Sequence, residues 1–174
     1  MKNDFVAPIV ALSLICLLIS GALAAMDSVT SPIIGEAAAE RAEAAMYSII
    51  PHATGFVRIE NEGFPRMVRE AYKTENGVGY IFIVSTNGFS GDIRVICGVD
   101  PDGRIISSKT LQHTETKGIG TVLEELSFLT QFDGKDSQLE GVLTRTGATI
   151  STSAYIRAIM DAFAAFEALS EELP

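Results

Sequence analysis

Two stretches of the chain concentrate groups that can do chemistry. Thr144-Arg145-Thr146-Gly147-Ala148-Thr149-Ile150-Ser151-Thr152-Ser153 sets six hydroxyls and one guanidinium within ten residues, directly before an apolar helical pattern. Gly147 permits close backbone approach, and a helix start offers N–H groups and the positive end of the dipole. The stretch therefore suits an anion, with Arg145 and the hydroxyls as further donors to a phosphate. The same residue types also serve an ordinary capped helix, with Ser151, Thr152 and Ser153 as N-cap candidates. On residue types alone the capped helix is the simpler reading.

The second stretch is Leu111-Gln112-His113-Thr114-Glu115-Thr116-Lys117-Gly118-Ile119-Gly120. His113 and Glu115 could form an acid–base pair, whereas a strand-to-helix loop with Thr116 as a cap needs no chemistry at all. One His and one Glu make a thin constellation, so the loop reading is favoured and no catalytic residue is assigned.

Composition narrows the classes. Thirteen basic residues against 22 acidic ones give a net charge of −9, which argues against nucleic-acid binding, because phosphate contacts need clustered Lys and Arg. The two cysteines, Cys16 in an apolar run and Cys97 in a strand pattern, suit neither an intramolecular disulfide nor a Cys-rich zinc or iron–sulfur site. No metal site is expected.

The elements that must position these stretches begin with Phe5 to Met26, a run without a charged residue. As a helix it would reach roughly 33 Å at about 1.5 Å per residue, enough for a hydrocarbon core of about 30 Å. Ala22-Leu23-Ala24 resembles a small-residue cleavage site, which makes a removed export signal the rival reading. The length of the run and its single preceding basic residue, Lys2, favour a retained anchor with a cytoplasmic N-terminus. Either way the remainder lies outside the cytoplasm. Met26 to Ile34 reads as a polar connector, and Glu36 to Ile50 as an amphipathic helix ended by Pro51.

From Gly55 the pattern turns to strands. Phe56–Ile59, Met67–Tyr72, Val78–Ser85, Ile93–Val99 and Ile105–Leu111 are separated by turn signals such as Asn76-Gly77, Asn87-Gly88 and Asp102-Gly103. Gly79 to Val84 is apolar on both faces and should be central; the short turns imply antiparallel neighbours. Thr121 to Phe132 reads as a helix, with Val122, Leu126, Leu129 and Phe132 near helical spacing. Ile156, Ile159, Phe163 and Phe166 mark a clearer C-terminal helix. The expectation is an α+β chain: one N-terminal transmembrane helix, then a small exported domain with a mainly antiparallel sheet flanked by helices. The divisions are residues 1–30 for tail and anchor, 31–54 for connector and amphipathic helix, and 55–174 for the domain.

Thr146-Gly147-Ala148-Thr149-Ile150-Ser151-Thr152 resembles the Ser/Thr-Gly-Ala-Thr signature of the FMN-binding domain family. His113-Thr-Glu115-Thr-Lys-Gly118-Ile-Gly120 resembles that family's His-x-Glu-Thr-Pro-Gly-Leu-Gly segment. With the anchor, the likeness spans nearly the whole chain. Leu143 stands where the family signature has Asp, and Lys117 where the loop has Pro.

The resemblance implies FMN carried covalently, as a phosphoester on Thr149. Gly147 and Ala148 would allow close approach, Thr152 and Ser153 would hold the phosphate through backbone groups, and Thr146, Ile150 and Ser151 would complete the surround. His113, Glu115, Thr116 and Gly118 would lie near the flavin ring. It further implies an electron-carrying subunit of a membrane-bound Rnf-type ion-translocating complex, with other membrane subunits and a flavin transferase as partners. The alternative is a stand-alone anchored flavin carrier feeding an extracellular reductase.

Overall fold

The structure, a computed structural model, describes residues 6–60, 63–118 and 120–172. Lys2, which bears on the anchor's orientation, and Ile119 of the second chemical stretch lie outside that range. Two compact units result, Met1–Arg41 and Ala42–Pro174.

Helix α1 runs Val6–Ile49. Within it Pro8–Ser31 spans 24 residues, with a mean hydropathy of 2.6 in its most apolar 18-residue window, long and apolar enough to cross a membrane. The expected connector at 26–34 is helical instead. The hydroxyls of Ser28 and Thr30 donate to the Ala25 and Met26 carbonyls, and that of Ser31 to the Asp27 carboxylate. Hydroxyls satisfied by their own helix need no loop to reach water, so polarity at these positions did not break the helix. Its end before Pro51 is as the sequence indicates.

The second unit is built on five antiparallel strands in sequential order: β1 (Phe56–Ile59), β2 (Val68–Thr74), β3 (Tyr80–Asn87), β4 (Asp92–Val99) and β5 (Ile105–His113). β3 is the middle strand, as its two-sided apolarity requires. Alternation sends Ile81 and Ile83, with Ile96 of β4, to one face, where Met46, Ile49 and Ile50 cover them. It sends Phe82 and Val84, with Ile93, Val95 and Cys97, to the other face. There they meet Tyr155, Ile159 and Phe163 of the long C-terminal helix α3 (Thr149–Glu172). Such side chains contribute about 1.5–3 kcal/mol each when fully buried, so the two faces together account for the sheet's need of a helix on each side. The fold is α+β.

Between β5 and α3 the chain departs from expectation. A single helix over Thr121 to Phe132 is replaced by a 3₁₀ turn (Gly120–Glu124) and one α-helical turn, α2 (Leu126–Leu129), with Glu125 extended between them. Leu123, Phe128 and Phe132 are the buried residues, whereas Leu126 is 77% exposed. Apolar spacings of five and four fit no single helical stripe. Phe128, Phe132 and Tyr155 meet at ring separations of 5.3–5.4 Å, and the buried Tyr155 hydroxyl donates to Ser108.

Gly98, buried on β4, faces the Ile49 side chain so closely that an added methyl would collide with it. Gly98→Ala should therefore cost about 1–3 kcal/mol of stability. The expected readout is a lower denaturant midpoint with unchanged slope.

Candidate functional site

Three segments converge at one end of the sheet: the β3–β4 turn, the exit from β5 and the start of α3. The turn, Asn87 to Asp92, closes with the Gly88 N–H bonded to the Gly91 carbonyl. β5 ends at His113, which pairs with Ile93 and so delivers the next residues beside that turn. A Ser90–Thr116 hydroxyl contact of 3.1 Å joins the two loops.

Glu115 sits where all three meet. Its side chain is buried, at 7% exposure, and both carboxylate oxygens are engaged. The Ser90 N–H donates to Oε1 at 3.0 Å, and the Ser151 hydroxyl donates to Oε2 at 2.7 Å. Burial pushes the carboxyl up, but the Ser151 hydroxyl and the amides of Ser90, Phe89 and Gly91 outweigh it and hold the group below its ordinary value. Gly88 is forced by this arrangement, since a Cβ there would run into the Glu115 carboxylate.

His113 and Glu115 do not form an acid–base pair. The His113 Nδ1 accepts the Glu115 backbone N–H at 3.2 Å, which places the ring proton on Nε2, 3.3 Å from Glu124 Oε1. The Glu115 carboxylate instead faces the turn and α3. Thr116 and Gly118 are exposed in the loop beyond, with Gly118 at φ +92°.

The start of α3 lies at Thr149, earlier than the Ser/Thr cap candidates suggest. Ser151 and Thr152 are inside the first turn and fully buried, and Ser153 is half-buried. Their hydroxyls do other work. Ser151 holds Glu115, while Thr152 Oγ1 accepts the Arg145 N–H and donates to the Ala148 carbonyl. The first helical bond runs from Thr152 N–H to the Ala148 carbonyl, so this amide, expected to hold the phosphate, is taken up by the helix instead. The N–H groups of Thr149, Ile150 and Ser151 therefore precede the ladder, the usual source of donors at a helix start. Gly147, at φ +85°, turns the chain into this helix with no atom within 4 Å of where a side chain would stand.

Thr149 is exposed, and its hydroxyl has only a long 3.4 Å contact with the Arg145 carbonyl. It lines a cleft of about 280 Å³ with Gly147, Ala148, Ile150, Ser151 and Phe89. Ala148 is buried; Thr146 and Ile150 are exposed. The site therefore has an accessible hydroxyl, a helix start and an aromatic wall. These features fit a flavin phosphate at the helix and an apolar ring against Phe89.

Arg145 does not reach toward an anion at Thr149. Its guanidinium bonds Glu125 at 3.1 Å and Ser127 at 2.5 Å. Leu143 is exposed, with both its backbone polar groups bonded to the Gln131 amide. The residue that sequence reasoning missed is Phe89, 63% exposed between Gly88 and Gly91. A large apolar residue inside a tight turn was the available signal, because such turns ordinarily carry polar residues. Elsewhere, burial pushes the Cys97 thiol up to about 12, leaving it inert in the core. No group of three or more His, Cys, Asp or Glu is placed for a metal among the described residues.

The model of the FMN-binding domain family matches residues 88–164. The chain is 24% identical to the G subunit of the proton-translocating ferredoxin:NAD(+) oxidoreductase complex of Clostridium ljungdahlii, over 92% of this chain and 91% of that one. It is 32% identical to the G subunit of the ion-translocating oxidoreductase complex of Shewanella piezotolerans, over 49% of each. The corresponding protein of Shewanella baltica is 24% identical over 93% of this chain and 89% of its own. The chain thus carries an FMN-binding domain match across the turn, the β5 exit and most of α3, and is similar over its length to the G subunits of such complexes.

A carboxyl held below its free value of 4.5 contributes stability above that pH and loses it as the pH falls through its folded value. The Ser90 amide resonance should therefore stay fixed from pH 7 to about 5. It should shift only on further acidification, a titration followed directly by NMR.

Proposed function

We propose that this chain is a membrane-anchored electron-transfer flavoprotein subunit of an Rnf-type ion-translocating complex, carrying FMN as a phosphoester on Thr149. The observation that carries the proposal is the exposed Thr149 hydroxyl at the start of α3, facing Phe89 across the cleft, within the stretch that matches the FMN-binding family.

Each nearby residue has a part in this reading. The N–H groups of Thr149, Ile150 and Ser151 receive phosphate oxygens at the positive end of α3. Gly147 and Ala148 keep the approach clear, and the loop of His113, Glu115, Thr116 and Gly118 borders the ring, which Phe89 walls. Thr146, Thr152 and Ser153 complete the segment: Thr152 fixes the Arg145–Ala148 turn, and the exposed Thr146 remains outside the helix. Bound FMN supplies the one- and two-electron chemistry, while the protein supplies attachment and orientation.

Attachment joins the Thr149 oxygen to phosphorus with loss of the hydroxyl proton. An activated flavin phosphoanhydride is the donor, its other half leaving with the electron pair of the broken P–O bond. A separate flavin transferase performs this step on the exposed group.

Residues 1–30 would supply tail and single-pass anchor, 31–54 the connection, and 55–174 the extracytoplasmic flavin domain, with the N-terminus cytoplasmic. The Pro8–Ser31 span supports anchoring, and the relatives named as parts of complexes support other membrane subunits as partners. The net charge of −9 supports no role with nucleic acid.

Mass spectrometry of chain expressed in a flavin-attaching host should find the FMN-phosphoryl mass on the Thr149 peptide. Thr149→Ala should abolish it while leaving the melting temperature within about 2 °C of the parent, as for an exposed site. An unmodified Thr149 in such a host would exclude the covalent reading. Purification together with other membrane subunits, rather than alone, separates a complex subunit from a stand-alone carrier.

A further inference from the structure

Glu115 poses a problem of placement. A carboxylate taken out of water is costly unless donors meet it. Here the donors come from segments far apart in sequence: the Ser90 amide, 25 residues before it, and the Ser151 hydroxyl, 36 residues after it. With both oxygens engaged and the side chain buried, the carboxylate has little to offer a ligand in the cleft. What it does hold is the loop that presents Phe89, and it holds that loop to the first turn of α3. It engages the side chain of Ser151 rather than its backbone N–H, so the donors at the start of α3 stay available to an anion.

We propose that Glu115 is a positioning residue: its carboxylate clasps the Phe89 turn to the start of α3 and thereby sets the aromatic wall at a fixed distance from Thr149. The effect on a flavin is transmitted through Phe89, without contact between Glu115 and the ring. This inference rests on the proposed attachment of FMN at Thr149 only for its consequence. The clasp itself belongs to the flavin-free fold.

A glutamine at 115 separates this role from a need for charge. Its oxygen can accept the Ser90 amide, and its NH2 can donate to the Ser151 hydroxyl oxygen. An alanine keeps neither bond.

The test uses the full chain in two forms, flavin-free and flavin-loaded. In the flavin-free form, Glu115→Ala should raise amide hydrogen exchange at Phe89 to Gly91 by about tenfold or more, while the paired amides of β3 and β4 stay protected. Glu115→Gln should restore parental exchange. In the flavin-loaded form, Glu115→Ala should lower the fluorescence anisotropy of the bound flavin as far as Phe89→Ala does. The double variant should be no lower than either single one, because both act through the same wall. Should Glu115→Ala fail to fold, Ser151→Ala opens the clasp from the other side and should give the same exchange signature. Unchanged exchange at 89–91 in a folded variant overturns the clasp. Additive losses of anisotropy overturn its action through Phe89. A parent without flavin counts against the attachment at Thr149, and the exchange result still decides the clasp.

Discussion

A buried charge has to be surrounded before it can be buried, and around Glu115 that requirement organises the working end of the domain. Its two oxygens draw in an amide from the β3–β4 turn and a hydroxyl from α3. Its own N–H is received by His113, so the loop that carries it is also pinned to the end of β5. Three segments at the ends of their elements thus acquire a common centre. The turn has room for this only because position 88 lacks a side chain. Charge-assisted bonds to a desolvated carboxylate are stronger than neutral ones, which suits a junction made of loops and a helix end.

The sheet makes such a junction useful. With β3 in the middle and apolar residues on both of its faces, the second unit needs Met46, Ile49 and Ile50 on one side and α3 on the other. Packing of Tyr155, Ala158, Ile159 and Ala162 fixes α3 along the sheet, and its first residue is therefore held in place by a core rather than by a loop. Rigid elements under the site and short turns around it are what a bound cofactor needs for a defined orientation.

Much of this was legible in the residues. Strand alternation and Gly-containing turns marked all five strands, and two-sided apolarity marked β3 as central. The meander followed from the shortness of the turns. Other features were hidden for physical reasons. Ser28, Thr30 and Ser31 looked like a connector because residue type does not reveal whether a hydroxyl bonds water or its own helix. Thr121 to Phe132 looked like one helix because Val122, Leu126 and Leu129 approximate a stripe, although the core takes up Leu123, Phe128 and Phe132. Ser151 and Thr152 looked like caps; their partners, Glu115 and Arg145, are distant or facing groups that no local pattern records. The direction of Arg145 toward Glu125 and Ser127, and the approach of Phe89 to Gly147–Ser151, are tertiary facts of the same kind.

Six hydroxyls lie between Thr144 and Ser153, and an unfolded chain presents all of them alike. Folding withdraws Ser151 and Thr152 into the interior and half-covers Ser153, while Thr144 and Thr146 stay on the loop ahead of the helix. Thr149 is left as the exposed hydroxyl on α3's opening turn. If FMN is attached at Thr149 as proposed, an enzyme acting on the finished fold would meet three of the six hydroxyls wholly or partly withdrawn and only one of the exposed ones on the helix, and so could be sparing in the side chains it reads. The order of events, folding first and modification second, would then be a source of chemical fidelity in itself.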